Sequence, residues 1–252
     1  MGAKGVSGAN SGSDEAEGQA MMKPTIYIGH HWYGRPHPAF LCSLAAVKAA
    51  TKTAVVVEGE PMRGQSFIVA ARNRVLTEFL DRRKEDWLMF WDDDIECRQA
   101  DVLDHLLGDG KEYVGALYPK RSHTGKMVRD CVTSVVLPSQ KPDGHMLRVH
   151  WLSGGFVMMR RDVLRWAVDS HKDQWYDDEW TGKVCYGLFN PMLVELVGPN
   201  GERKRKLLSE DFSFCQRMKA SGCAGWADLR VVLCHWGDYG YQLEMDGGGG
   251  GK

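Results

Sequence analysis

Trp87-Leu88-Met89-Phe90-Trp91-Asp92-Asp93-Asp94 is the stretch on which the reading of this chain turns. Five apolar residues in a row leave no polar face, as expected of a central strand covered by helices on both sides of a sheet. Three carboxylates follow at once. Crowded together at the end of a buried strand they repel one another, which is costly unless a cation or hydrogen-bond donors share the charge. On extended backbone the side chains of Asp92 and Asp94 point to one side and that of Asp93 to the other. Asp92 and Asp94 are therefore candidate ligands of a single site, and oxygen ligands there suit Mg2+ or Mn2+. The plain alternative is a solvated turn after a strand.

Outward from that stretch, short apolar runs alternate with helical periodicity, the pattern of strands joined by crossover helices. Strands are expected at Thr25–Ile28, Thr53–Val57 and Tyr113–Leu117, and helices at Pro38–Ala50 and Gln99–Leu107. Between Phe67 and Leu80 the apolar residues fall on one helical face, with Arg72 and Arg74 among the polar positions. The first half is thus an open α/β sheet whose ligand should sit at the carboxyl ends of its strands. The second half is less regular. Cys131–Leu137 and Met146–Trp151 read as antiparallel strands, Phe156–Met159 as a strand after Ser153-Gly154-Gly155, and Asp162–Ser170 as a helix. Pro199-Asn200-Gly201 is a turn between strands Leu193–Val197 and Lys206–Leu208, Glu210–Ser221 is a helix, and Leu229–Cys234 is a last strand that carries His235.

The 252 residues suffice for a core without metal or disulfide staples. We read residues 23–242 as one domain between two polar, Gly-rich segments, 1–22 and 243–252, that have too little apolar surface to order themselves. A formal net charge of -1 gives no general pull toward nucleic acid or anionic lipid, so such a partner would need a local patch. Arg203-Lys204-Arg205-Lys206 is the one such run, and its plainer reading is a solvated hairpin edge. Seven cysteines without a CxxC pair suggest small core residues in a reducing cytoplasm and match no compact zinc module. No apolar run approaches the roughly 20 residues that span a bilayer.

Several segments in order resemble the GT-A glycosyltransferases, the closest likeness being to small stand-alone bacterial and bacteriophage-type members. They are Ala71-Arg72-Asn73-Arg74, the Asp92-Asp93-Asp94 element as a DxD motif, and Gly115 to Lys120. Ser153-Gly154-Gly155-Phe156, Ser209-Glu210-Asp211 and Asp228 through His235-Trp236 follow. The resemblance implies a Rossmann-like, mostly parallel sheet with a smaller antiparallel part on the acceptor side. It also implies a metal-dependent enzyme that passes a sugar from a nucleotide-diphosphate donor, a UDP-sugar above all, to a glycan, a protein or a modified nucleic-acid base.

On that resemblance Asp94, Asp92 and His235 would hold Mn2+ or Mg2+, and Arg72 would contact the nucleotide. Gly29, His30 and Asp93 would border the donor, and Gly154-Gly155 would line the sugar pocket. In an inverting reaction Asp211 would be the base, with Glu210 orienting the acceptor; both could instead complement the start of a helix, with Ser209 as the cap. A nucleotidyltransferase shares the acidic site but usually carries a Gly-rich basic loop after the first strand, where this chain has His30-His31-Trp32-Tyr33. A non-catalytic binding module is the rival from another class.

Overall fold

A computed structural model describes residues 22–32, 34–63, 67–121, 133–137, 139–197 and 200–242. Of the two expected tails only Met22 is among them. The chain begins with β1 (Thr25–Gly29), β2 (His31–Trp32), α1 (Pro38–Ala50), β3 (Val55–Glu58), β4 (Met62–Arg63) and α2 (Ile68–Arg82). β5 (Trp87–Trp91), β6 (Ile95–Cys97), α3 (Val102–Gly108), β7 (Tyr113–Gly115), β8 (Met146–Arg148), β9 (Phe156–Arg160) and α4 (Arg161–Ser170) follow. The remainder is β10 (Trp175–Asp178), β11 (Lys183–Tyr186), β12 (Leu193–Val197), β13 (Arg203–Leu207), α5 (Glu210–Ala220), β14 (Trp226–Asp228), β15 (Leu233–Trp236) and β16 (Gly240–Gln242).

Seven strands form the central sheet in the order β3-β1-β5-β9-β7-β14-β8. β9 runs against both β5 and β7, and β8 runs against β14, while every other pairing in this sheet is parallel. Five strands therefore share one direction, and the class is a mixed, mostly parallel α/β sheet.

The unbroken apolar run in β5 is what a sheet with two covered faces demands. Leu88 and Phe90 enter a core built with α2, α4 and α5, whereas Met89 and Trp91 enter a second core with α1 and α3. β9 divides the same way, Val157 and Met159 to the first core and Phe156 and Met158 to the second. A polar residue at any of these positions would lose roughly 1.5–3 kcal/mol of apolar burial and add an unpaired group.

Arg72, Asn73 and Arg74 are buried on α2, where carboxylates and amides meet them inside the molecule. Three expected strands are corrected. The expected strand Leu229–Cys234 is a turn followed by β15, and β14 precedes it; Arg230 folds back onto Asp228 and ends the sheet strand there. Within the described part of Cys131–Leu137 there is only a single bridge between Val135 and Trp151. Residues 131 and 132 of that segment lie outside the described residues. Strand Met146–Trp151 is shortened to β8.

Among the described residues no helix is long and apolar enough to cross a membrane. Cys97, Cys185, Cys215 and Cys234 are buried free thiols.

Candidate functional site

The parallel strands β1, β5 and β7 all end at one edge of the sheet, and antiparallel β9 begins there. The pairing of Gly29 with Phe90, of Trp91 with Phe156 and of Gly115 with Val157 sets this register. His31, Asp92, Gly155 and Tyr118 are thereby delivered to one place. The Asp92 amide donates to the Gly155 carbonyl at 2.8 Å, and the Gly155 amide donates to the Tyr118 hydroxyl at 3.0 Å.

His235 arrives by another route. β6 continues from the acidic triplet and pairs antiparallel with β15, placing His235 opposite Ile95. The Trp236 amide donates to the Asp94 carbonyl at 2.8 Å, which ties the two segments together. Trp236 also stacks on His37, 4.5 Å between ring centroids, and the His37 amide donates to the Asp93 carbonyl at 2.8 Å. Both carbonyls of the turn are thus held, and the carboxylates are left to face the site.

The Asp94 Oδ1 atom is buried, lacks a hydrogen-bond partner and lies 3.7 Å from His235 Nε2. The imidazole Nδ1 lies 2.8 Å from the Pro119 carbonyl, to which it can only donate, so Nε2 carries the lone pair. Burial pushes the His235 pKa below the usual imidazole range, and the charge of Arg121 works in the same direction. A neutral imidazole with an outward lone pair beside an unpaired carboxylate oxygen is a donor set that suits a divalent cation.

At present one guanidinium stands at both donors. Arg121 pairs with Asp94 through Nη2 and donates from Nε to His235 Nε2 at 3.1 Å, with its own side chain 46% exposed. Asp92, Asp94 and His235 do not form a tight three-atom cage. The group of that kind found among the described residues is elsewhere: Asp109, His145 and Asp228, with ligand atoms within 4.8 Å of one another. Sequence reasoning did not single that cluster out, because its members come from three separate elements.

Arg72, only 2% exposed, is the other organising cation. Its Nη2 reaches both Asp92 oxygens at 3.3 and 3.2 Å, and its Nη1 pairs with Asp211 and lies 3.6 Å from Glu210. It joins the first carboxylate of the triplet to the acidic start of α5 and is enclosed by them. Ser209 sits at the N-cap, as the sequence allowed, but its side chain makes no cap hydrogen bond. Burial alone would raise the Asp92 pKa, but Arg72 and then His31, whose Nε2 lies 3.4 Å away, hold it below the ordinary carboxylate range. Burial and the charge of Asp92 push the Asp93 pKa up to about 6.

Four carboxylates, those of Asp92, Asp94, Glu210 and Asp211, thus face two guanidiniums, Arg72 and Arg121. The excess of two negative charges is what a divalent ion would balance.

The glycine pair is explained by crowding. A Cβ on Gly154 would come within 2.5 Å of both Arg72 Nη1 and Asp211 Oδ1, and one on Gly155 within 2.7 Å of Asp92 Oδ2. Backbone without side chains lets the two acid-bearing elements close on Arg72. Gly29 is a glycine for a different reason, the approach of Val75 on α2, where a Cβ would lie 2.3 Å from Cγ1.

His30 departs from its expected place. It is 1% exposed, turned toward Glu58 and the Phe40 ring, and burial lowers its pKa to about 4. Its neighbour His31 is the one that reaches Asp92. The alternation of side chains along an extended segment could have separated the two.

Compared with known proteins, the sequence matches no family model and no curated protein. Among solved structures, A197 from STIV is similar over 89% of this chain and 95% of its own, with 16% identity and a TM-score of 0.48. At that level the likeness carries no argument about the fold or the function of this chain.

Proposed function

We propose that the protein is a metal-dependent glycosyltransferase of GT-A type that uses a nucleotide-diphosphate sugar, a UDP-sugar above all. The observation that carries this reading is the buried, unpaired Asp94 Oδ1 beside the neutral Nε2 of His235 at the carboxyl edge of the sheet. Asp94 and His235 would hold Mn2+ or Mg2+, with Asp92 nearby on Arg72. Bound there, the ion would neutralise charge that develops on a departing diphosphate.

The protein's own groups do the rest. Arg72 fixes Asp92 and Asp211 relative to each other. His31 and Tyr118 border Asp92, and the Gly154-Gly155 backbone, having no side chains, lets Arg72, Asp92 and Asp211 close on one another. In an inverting reaction Asp211 accepts the proton of the attacking hydroxyl, and Glu210, one position before it at the start of α5, orients that hydroxyl.

One observation favours a second reading. Because Arg121 bridges the two donors, the chain could be a non-catalytic module in which a guanidinium has replaced the ion. Calorimetric titration with MnCl2, then with UDP in the presence of Mn2+, separates the two. Binding of both, followed by hydrolysis of at least one UDP-sugar, supports the transferase. Absence of Mn2+ binding at millimolar concentration would rule it out and leave the module.

A further inference from the structure

A second concavity lies on the far side of the Arg72-Asn73-Arg74 segment. It has a volume of about 570 Å³ and opens between the start of α2 and the β10–β11 hairpin. Two rings at its mouth face solvent, Trp180 at 79% and Phe67 at 63% exposure. Of the other aromatics the sequence offers in this region, Tyr186 is buried and donates to Asp81 at 2.7 Å, so it is not available to a ligand.

The exposure of Trp180 is built in. Asp178 is buried and takes a bidentate pair from Arg74, at 3.0 and 3.1 Å to Nε. The same carboxylate accepts from the Thr181 amide and hydroxyl at 2.9 and 2.7 Å. Gly182, with φ at +62°, completes the turn, a conformation glycine adopts without a Cβ penalty. The turn that carries Trp180 is therefore pinned from below by a buried ion pair. An indole held out in water by such an arrangement loses its own burial energy unless a ligand covers it.

The polar groups divide by depth. Those partly buried in the cleft, Gln174, Tyr176 and Asn190, are uncharged, and Asp178 is neutralised by Arg74. Asn73 donates to Asn190 Oδ1 at 3.0 Å and to the Tyr176 hydroxyl at 3.3 Å, which orients both. Asp173, Asp177 and Glu179 stand exposed around the rim. An acidic rim repels phosphodiesters, so a nucleic-acid strand is the wrong occupant. A neutral interior of amides and a phenol with flat rings at the mouth matches an uncharged polyol: C–H faces lie on the rings, and hydroxyls donate to carboxylates.

We infer that this cleft binds a neutral carbohydrate chain, which is the acceptor if the transferase reading holds; the acceptor role, but not the binding, rests on that reading. Asn73 links the two sites physically, since it lies between Arg72 of the acidic site and Arg74 of the cleft.

The test uses the full chain and tryptophan fluorescence. Cellohexaose, maltohexaose, xylohexaose, mannohexaose and chitohexaose are titrated, with a dT16 oligonucleotide and hexalysine as rivals. At least one glycan is expected to quench and blue-shift the emission. Trp180→Ala and Phe67→Ala are expected to weaken it about tenfold or more, corresponding to about 1.4 kcal/mol. Binding of Mn2+ and UDP by both variants should equal that of the parent chain.

Failure of all five glycans overturns the inference. So does glycan binding that is indifferent to Trp180→Ala, or tighter binding of dT16 or hexalysine than of any glycan. If glycans bind but Mn2+ and UDP do not, the cleft stands and the transferase reading fails.

Discussion

Two regions of this protein group carboxylates, an imidazole and an arginine, and they differ in how the arginine is supplied. At the edge formed by β14 and α3, Arg230 lies two residues from Asp228 and takes both its oxygens, at 2.7 to 3.1 Å, while also reaching Asp109 at 2.7 Å. His145 completes the group, 2.9 Å from Asp109. Burial raises the Asp109 pKa, against the His145 hydrogen bond, which works to lower it.

At the Asp94 edge the guanidinium comes from Arg121, distant in sequence from both donors and half exposed. The first cluster is the tighter, and its arginine is tied to the neighbouring Asp228 by its backbone amide as well as its guanidinium. The second is looser, and its guanidinium comes from a distant segment. On the reading proposed above, the compact cluster is the structural one and the looser Asp94 edge the functional one.

The sharpest test of that contrast is Asp94→Ala. Calorimetry should show Mn2+ affinity falling by more than about 100-fold, the upper end of what loss of a supporting partner costs a metal site. Unchanged affinity would place the ion at the other cluster and invert the comparison.

A second measurement fixes the pH range in which the comparison is fair. His30 titrates near 4 when folded and near 6.5 when unfolded. The unfolded chain thus binds more protons in that interval, so this contribution to stability is complete above pH 6.5 and is lost as pH falls toward 4. The loss is up to about 3 kcal/mol. His30→Phe should flatten that part of the pH profile of urea unfolding. The raised pKa of Asp93 acts in the opposite sense, lowering stability as pH rises from 3.8 to about 6, and so the difference between parent and variant is the quantity to read.

Arg230→Met should destabilise the fold by about 2 kcal/mol, less than the usual cost of breaking a fully buried pair because Arg230 is 39% exposed. Chemical denaturation would measure it, with Mn2+ titration unaltered. The smallest effect is expected from Arg121→Gln, a tightening of Mn2+ binding of about tenfold, or about 1.4 kcal/mol, as the competing cation is removed. Weaker binding in that variant would mean that Arg121 assists the ion instead of standing in for it.

Much of the central sheet was legible because its strands are continuous apolar runs. Trp87–Trp91 and Pro38–Ala50 have the bounds the pattern predicts. The short pieces were less so. β14 has three residues, too few for a period, β8 was legible only as the start of a longer strand, and the turn at Arg230 depends on an ion pair rather than on Gly or Pro.

In the site, the extended backbone expected through the acidic triplet is instead a turn at Asp93 and Asp94, closed by the Ile95 amide on the Asp92 carbonyl, so strand alternation does not govern where Asp94 points. The buried setting of Arg72 was not legible either, since three carboxylates from two distant elements make it tolerable. Arg121 carried no local signal at all: its partners lie on the loop after β5 and on β15.

The bond from the Trp236 amide to the Asp94 carbonyl has a consequence for how the molecule is made. Ribosomes deliver a chain from its amino end, so the acidic turn emerges long before the strand that brings imidazole 235 to it. Any nascent chain arrested in between can lay down the sheet through β9 yet carries an unfinished ligand set. On the proposed reading, competence to capture an ion is thus among the last properties this polypeptide acquires during synthesis.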